Sequence, residues 1–344
     1  MSDAVAVVLF FGVTAYAIFG GADFGSGFWD LVAGGTERGE RPRAIIQHSI
    51  GPVWEANHVW LIFVLVVLWT GFPEAFASIT LTLFVPLSLA ALGIVLRGSG
   101  FAFRKEVERT SSRRNFGAAF AFSSVLVPYC MGAIAGAIAS GRVPAGGKAG
   151  DPWSSWINAT SILGGVLAVA VCAFLAAVFL TWDAARLEDP AMVAYYRSRA
   201  MAMSVAAGFV ALVGIVVLHD DARYVFDGLM SRALAFVIIS ALCGIGTLIL
   251  LARRSHFGAR LLAIGAVASV VIAWGVAQWP YLLPTSLTVS EAAAPDPTLT
   301  TILVVFGIAA VVILPSLGLL YVLDQKSLLD AVDDEGAPLR ADRP

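Results

Sequence analysis

The sequence predicts an all-α, polytopic membrane protein with nine transmembrane helices, and three observations predict it. Hydrophobic residues make up 59% of the 344 residues and charged residues only 13%, where a soluble domain carries about 25% charged residues. Nine apolar stretches are of the length, roughly 20 residues, that crosses a hydrocarbon core. Basic residues fall at alternate ends of these stretches, 18 on the side that follows the odd-numbered ones and 4 on the other. Cytoplasmic loops hold the excess of Lys and Arg, so the N-terminus is expected outside and the C-terminus in the cytoplasm.

The spans follow in order. The first, about 4–33, begins directly after Ser2 and Asp3 without a basic leader or a small-residue cleavage site, and reads as a retained helix. The second and third, about 45–71 and 75–97, flank a short connection, and the fourth covers about 115–140. Helices five to eight are placed at about 158–182, 201–218, 230–251 and 258–279, and the ninth at about 300–323. Residues 1–324 thus form a single transmembrane domain, and the Asp-rich segment 325–344 reads as a solvated cytoplasmic tail. Loops 141–157, 219–229 and 280–299 are expected outside; the last is a tight ordered connector with Trp279 and Tyr281 at its start as interfacial aromatics. No internal repeat and no soluble domain stands out.

Composition also narrows function. A net charge of -2 with no dense basic run argues against nucleic acid as a partner, because phosphate binding needs clustered cations. Cys130, Cys172 and Cys243 are scattered through apolar segments with no Cys-x-x-Cys spacing, and read as small packing residues. The four histidines, His48, His58, His219 and His256, offer no pair placed to hold one metal or haem iron. No directly bound cofactor and no metal site is therefore expected.

Polar residues inside apolar spans are the functional candidates, since an ionisable group at membrane depth costs about 2.5–3.5 kcal/mol on insertion scales and normally faces protein or water. In the first span, Gly20-Gly21-Ala22-Asp23-Phe24-Gly25-Ser26-Gly27 carries Asp23 beside a Gly21/Gly25 small-xxx-small face that lets another helix approach closely. In the second, Gly51-Pro52-Val53-Trp54-Glu55-Ala56-Asn57-His58-Val59-Trp60 sets Glu55 near the midplane with Asn57 and His58 close by. Burial favours the neutral form of a carboxyl and lets it exchange protons near neutrality, which a proton relay requires. At the inner end of the third span Arg97 opens a basic, aromatic collar running to Lys105. Two readings stand there: positive-inside anchoring, or a pair with a buried carboxylate such as Asp23.

These blocks, with Arg97-Gly98 and with Ala277-Gln278-Trp279-Pro280-Tyr281-Leu282-Leu283-Pro284, resemble subunit II of cytochrome bd-type quinol oxidases, close to the cyanide-insensitive branch. The helix 2 block is the most specific part, and the resemblance spans nearly the whole chain. It implies a bacterial cell-membrane complex in which subunit I holds haems b and d and oxidises quinol, while this chain pairs with it and helps deliver cytoplasmic protons for reduction of dioxygen to water. A small single-helix accessory subunit and a structural quinone or lipid are further partners the family brings into view. Glu55 and Asp23 fall on the family's acidic positions, His58 joins them as a proton-pathway candidate, and Arg97, Trp54 and Asn57 are structural or ion-pair candidates. This sequence departs from the pattern at Gly20 and Ala102, where other members carry acids. The competing reading is an ion-coupled secondary transporter using Asp23 and Glu55, against which the lack of inverted repeats counts.

Overall fold

The computed structural model describes the backbone of residues 1–50, 54–106 and 110–325, and within these all side chains but those of residues 36, 50, 54–56, 101–106, 110–116, 256, 257, 314, 321, 324 and 325. The chain is helical almost throughout: α1 (Ser2–Val32), α2 (Thr36–Ile50), α3 (Trp54–Gly71), α4 (Pro73–Thr82), α5 (Phe84–Glu106), α6 (Thr110–Ala139), α7 (Ala159–Arg186), α8 (Pro190–Asp221), α9 (Arg223–Leu229), α10 (Leu234–Ala252), α11 (His256–Gln278), α12 (Val289–Ala292) and α13 (Asp296–Gln325), with a two-stranded antiparallel pair, β1 (Tyr281–Leu283) and β2 (Leu287–Thr288), between α11 and α12.

Seven described helices are long and apolar enough to cross a bilayer: α1, α7, α8, α10 and the apolar lengths of α6, α11 and α13. The third expected span is built differently from a plain crossing helix. Of the stretch expected as one helix over 45–71, residues 45–50 lie in α2 and 54–71 in α3, and 51–53 lie outside the described residues. The stretch expected over 75–97 is α4 and the first part of α5, and α4 turns 118° away from α3. The local cause is Pro73 at the start of α4: a proline ring disfavours helical backbone in the residue before it, and Phe72 sits at φ −138°, ψ 62°. Length and apolarity alone therefore give seven single helices, one bent pair and the shorter apolar helix Phe84–Gly100 among the described residues. The sixth expected span, about 201–218, also grows: α8 starts at Pro190, with Asp189 capping its first turn by accepting from the Met192 amide. Arg197 and Arg199 thus lie on helix rather than in a loop.

Packing gathers the polar connections at the two ends of the bundle. At one end the 140–158 segment straps α4, with Glu74, Ser78 and Thr82, spaced one turn apart, accepting from the amides of Gly146, Gly147 and Gly150 at 2.8, 3.1 and 2.9 Å. There too Arg142 grips Asp221 with both terminal nitrogens at 2.6 and 3.0 Å, and Thr160 Oγ1 donates to the same carboxylate at 2.6 Å. The connector from Trp279 to Pro295 is ordered, as the sequence suggested: Val289 N donates to Pro280 O, Ala294 N to Gly71 O, and Thr288 with Glu291 forms a reciprocal cap on α12. At the other end Arg41 pairs with Asp189 at 2.8 Å and Tyr196 Oη donates to Pro42 O at 2.8 Å, fixing α2 against α8.

The largest apolar cluster centres on α7, where Phe174, Leu175, Val178 and Leu180 meet Ile18 and Trp29 of α1 and Leu251 at the end of α10. By contrast α8 exposes Val205, Phe209, Leu212 and Val216, and α13 exposes Val304, Val305, Ile308, Val311 and Val312. Apolar faces this continuous are far larger than a protein in water carries, and suit contact with lipid or another membrane chain.

Candidate functional site

The site begins with the glycines of α1. A Cβ on Gly25 would overlap the Cys172 carbonyl and the Ala176 methyl of α7, so the backbones of α1 and α7 touch there, and the small face opened by Gly21 and Gly25 is the contact. This close approach leaves Asp23, on the neighbouring side of α1, buried at 4% exposure.

Its partner comes from α5. Arg97, 1% exposed, donates from Nη2 to Asp23 Oδ1 at 2.6 Å and to the Asp23 carbonyl at 2.9 Å, and from Nη1 to Ser124 Oγ of α6. Ser124 passes its own hydrogen bond to Phe120 O, and Ser26 Oγ donates to Asp23 O, each at 2.6 Å. A Cβ on Gly27 would collide with Ser124 Oγ and crowd Arg97 Nη1, so this glycine makes the room through which the guanidinium reaches α1. The cation is also sandwiched by rings, 4.9 Å from the Phe24 centroid and 4.5 Å from that of Phe120, contacts that offset part of its desolvation. Taking two charges out of water is costly unless geometry and additional hydrogen bonds compensate, and here three helices contribute to that compensation.

The candidates on α3 fall partly on this centre. His58 brings its ring to 5.9 Å from Phe24, so Phe24 touches both the histidine and the guanidinium. Asn57 is buried. Trp54 and Glu55 lie on the first turn of α3, and their side chains are outside the described residues. The geometry thus joins Asp23, Arg97 and His58 around Phe24. Among the described residues no group of three or more His, Cys, Asp or Glu side chains is arranged to hold a metal ion.

Sequence reasoning passed over Asp30. It is as buried as Asp23, two helical turns further along α1, and accepts from Arg43 Nε at 2.6 Å, while Arg43 Nη2 donates to Gly34 O at 2.6 Å. The seven-residue spacing from Asp23 was the available signal, but Arg43 counted only as a loop charge. Ser124 and Tyr16 were also missed, being ordinary residues in helical runs.

The family model for cytochrome bd terminal oxidase subunit II matches residues 1–324. The chain belongs to that family. Cytochrome bd ubiquinol oxidase subunit 2 of Bacillus subtilis (strain 168) is 28% identical over 162 residues, 47% of either chain. Cytochrome bd-I ubiquinol oxidase subunit 2 of Escherichia coli (strain K12) is 28% identical over 126 residues, 37% of this chain and 32% of its own length. In these alignments the chain spans half or less of each relative. The fold likeness is broader: a chain of the bd oxidase structure from Geobacillus thermodenitrificans superposes with a TM-score of 0.78 at 25% identity, covering 94% of this chain and 98% of its own. As a member of this family, the protein is a multi-span helical protein of the bacterial cell membrane.

Proposed function

We propose that this chain is the non-haem half of a quinol:dioxygen oxidoreductase, pairing with a haem-bearing subunit I and delivering cytoplasmic protons to the reduction of dioxygen through Glu55, Asp23 and His58. The observation that carries the reading is the Asp23–Arg97 pair, at 4% and 1% exposure, inside a chain matched along 1–324 to the subunit II family. In this reading α3 and α5 are the second and third of nine spans, α4 lies along the outer surface, the N-terminus is outside and the tail is cytoplasmic. That arrangement puts the Arg43–Asp30 and Arg41–Asp189 contacts on the cytoplasmic face, and the Arg142–Asp221 contact outside.

The roles divide by chemistry. Asp23, clamped by Arg97, keeps a fixed polar centre in the apolar bundle and orients what hydrogen-bonds to it. Glu55 is the group that takes up and releases the proton, and His58, against Phe24, is the neighbouring acceptor. Asn57 and Trp54 hold the first turns of α3 in place. Haems b and d, when bound in subunit I, supply the electron transfer and oxygen chemistry; quinol oxidation belongs there too. A structural quinone or lipid against this chain and a single-helix accessory subunit complete the proposed complex.

The test is Glu55→Gln in the purified complex. The expected result is slowed oxygen consumption with an unchanged haem spectrum, and turnover at the wild-type rate would remove Glu55 from the route. Purification through this chain should also bring down a haem-bearing subunit, which an ion-coupled transporter would not do.

A further inference from the structure

Around Phe24 three enclosed polar atoms have no hydrogen-bond partner among the described residues: Tyr16 Oη, Asp23 Oδ2 and Arg97 Nε. Asp23 and Arg97 are more than nine-tenths buried. Tyr16 stands two turns before Asp23 on α1, and its ring lies along the helix over Gly20: a Cβ there would come within 2.8 Å of Cε2 and 2.9 Å of Cδ2. Glycine at 20 is what lets the phenol lean toward the Asp23 turn. The ring then meets Phe24 edge-on, with centroids 6.3 Å apart. A phenol that donates and accepts, a carboxylate oxygen that accepts and an Nε–H that donates are complementary to a water molecule, and buried polar atoms left over by the protein are ordinarily satisfied in this way.

We propose that these atoms bind an ordered water and that Tyr16 is its positioning residue. The water hydrogen-bonds Tyr16 Oη and Asp23 Oδ2, extends the Asp23–Arg97 centre toward the middle of the membrane, and carries protons past Phe24 to the side on which His58 sits. Tyr16 keeps its own proton; it holds the water in line. This rests on the proton-route reading above, and adds to it a residue and a ligand site.

Tyr16→Phe removes one oxygen and keeps the ring against Gly20 and Phe24, while Gly20→Ala keeps the hydroxyl and pushes the ring aside. In the purified complex, losing one hydrogen bond of this kind should slow oxygen consumption at saturating quinol about three- to tenfold. The quinol KM and haem spectrum should stay unchanged and the solvent isotope effect should rise, with Gly20→Ala behaving alike. High-resolution cryo-electron microscopy should show water density within hydrogen-bond distance of Tyr16 Oη and Asp23 Oδ2, lost in Tyr16→Phe. Wild-type turnover and isotope effect in Tyr16→Phe, with Glu55→Gln slow in parallel, would overturn the role of Tyr16 alone. Wild-type behaviour of both variants would overturn the proton route with it. Density showing Tyr16 Oη bonded directly to a side chain of another subunit would also overturn the water site.

Discussion

Replacing Arg97 by Met keeps most of the side-chain volume but removes a guanidinium that binds Asp23 Oδ1, Asp23 O and Ser124 Oγ and lies between two aromatic rings. What remains is a carboxylate at 4% exposure facing a thioether. Breaking a buried ion pair by removing one partner costs about 3–5 kcal/mol, most of it the penalty of the charge left behind. Asp23→Asn leaves the complementary fault, an uncompensated guanidinium that still reaches Ser124 and both rings, so its cost should lie at the lower end of that range. The double variant Asp23→Asn/Arg97→Met carries no stranded charge. It should recover at least about 2 kcal/mol relative to the sum of the singles, because contacting members of one network are coupled by up to about 3 kcal/mol. The assay is thermal unfolding of the purified complex in detergent, followed in parallel by haem retention. Additive losses in the double variant, or an Arg97→Met complex as stable as wild type, would refute the pair as a coupled buried unit.

Other features give sharper local tests. Gly25→Ala should destabilise by about 1–3 kcal/mol, because the added methyl meets backbone that cannot give way cheaply; Gly208→Ala, inside α8 with nothing within 4 Å of its Cβ, should leave stability unchanged or raise it by up to about 1 kcal/mol in the same melting experiment. Asp221→Ala removes the acceptor shared by Arg142 and Thr160, and should cost about 1–2 kcal/mol, read as faster proteolysis in the 140–158 loop. Burial pushes the Asp189 carboxyl up, but the Met192 amide and the Arg41 guanidinium outweigh it and hold the group below the ordinary carboxylate value. A lowered folded value means the contribution is complete above the unfolded pKa, about 3.9, and disappears as pH falls through the folded one. Stability of the wild type should therefore drop more than that of Asp189→Asn between pH 5 and pH 3, by about 1 kcal/mol for one cap and its pair, in melts taken at each pH.

Much of the plan is written in apolar run length, but run length does not say where a run is interrupted or what covers it. The expected connection after residue 71 coincides with Pro73, between α3 and α4, but the run expected over 75–97 as one span is interrupted at Leu83, between α4 and α5. Ile45 and Ile46, expected at the start of the second span, lie in α2 and are buried against other helices. Lipid-facing and core helices look alike as well: the most apolar windows of α7 and α10 have the same mean hydropathy, but 50% of the first is buried and 11% of the second. Burial is a property of neighbours, and neighbours such as Arg142 and Asp221 stand 79 residues apart in the chain.

The run from Gly20 to Gly27 puts the same point at the scale of single atoms. Three of its glycines do different things: Gly25 admits the backbone of α7, Gly27 clears a path for Arg97 to Ser124, and Gly20 lets Tyr16 lie along its own helix. The small-xxx-small spacing anticipates only the first, because helix–helix approach depends on the repeat itself. Room for a cation or a phenol depends on which side chain the adjoining turn or helix happens to offer. Asp23 could be singled out from sequence as a costly group needing a partner, whereas the shape of the space around it follows from α5, α6 and α7 arriving together. Substituting these glycines one at a time therefore separates stability from the proposed proton delivery: Gly25 should report on the first, Gly20 on the second, and Gly27 on both.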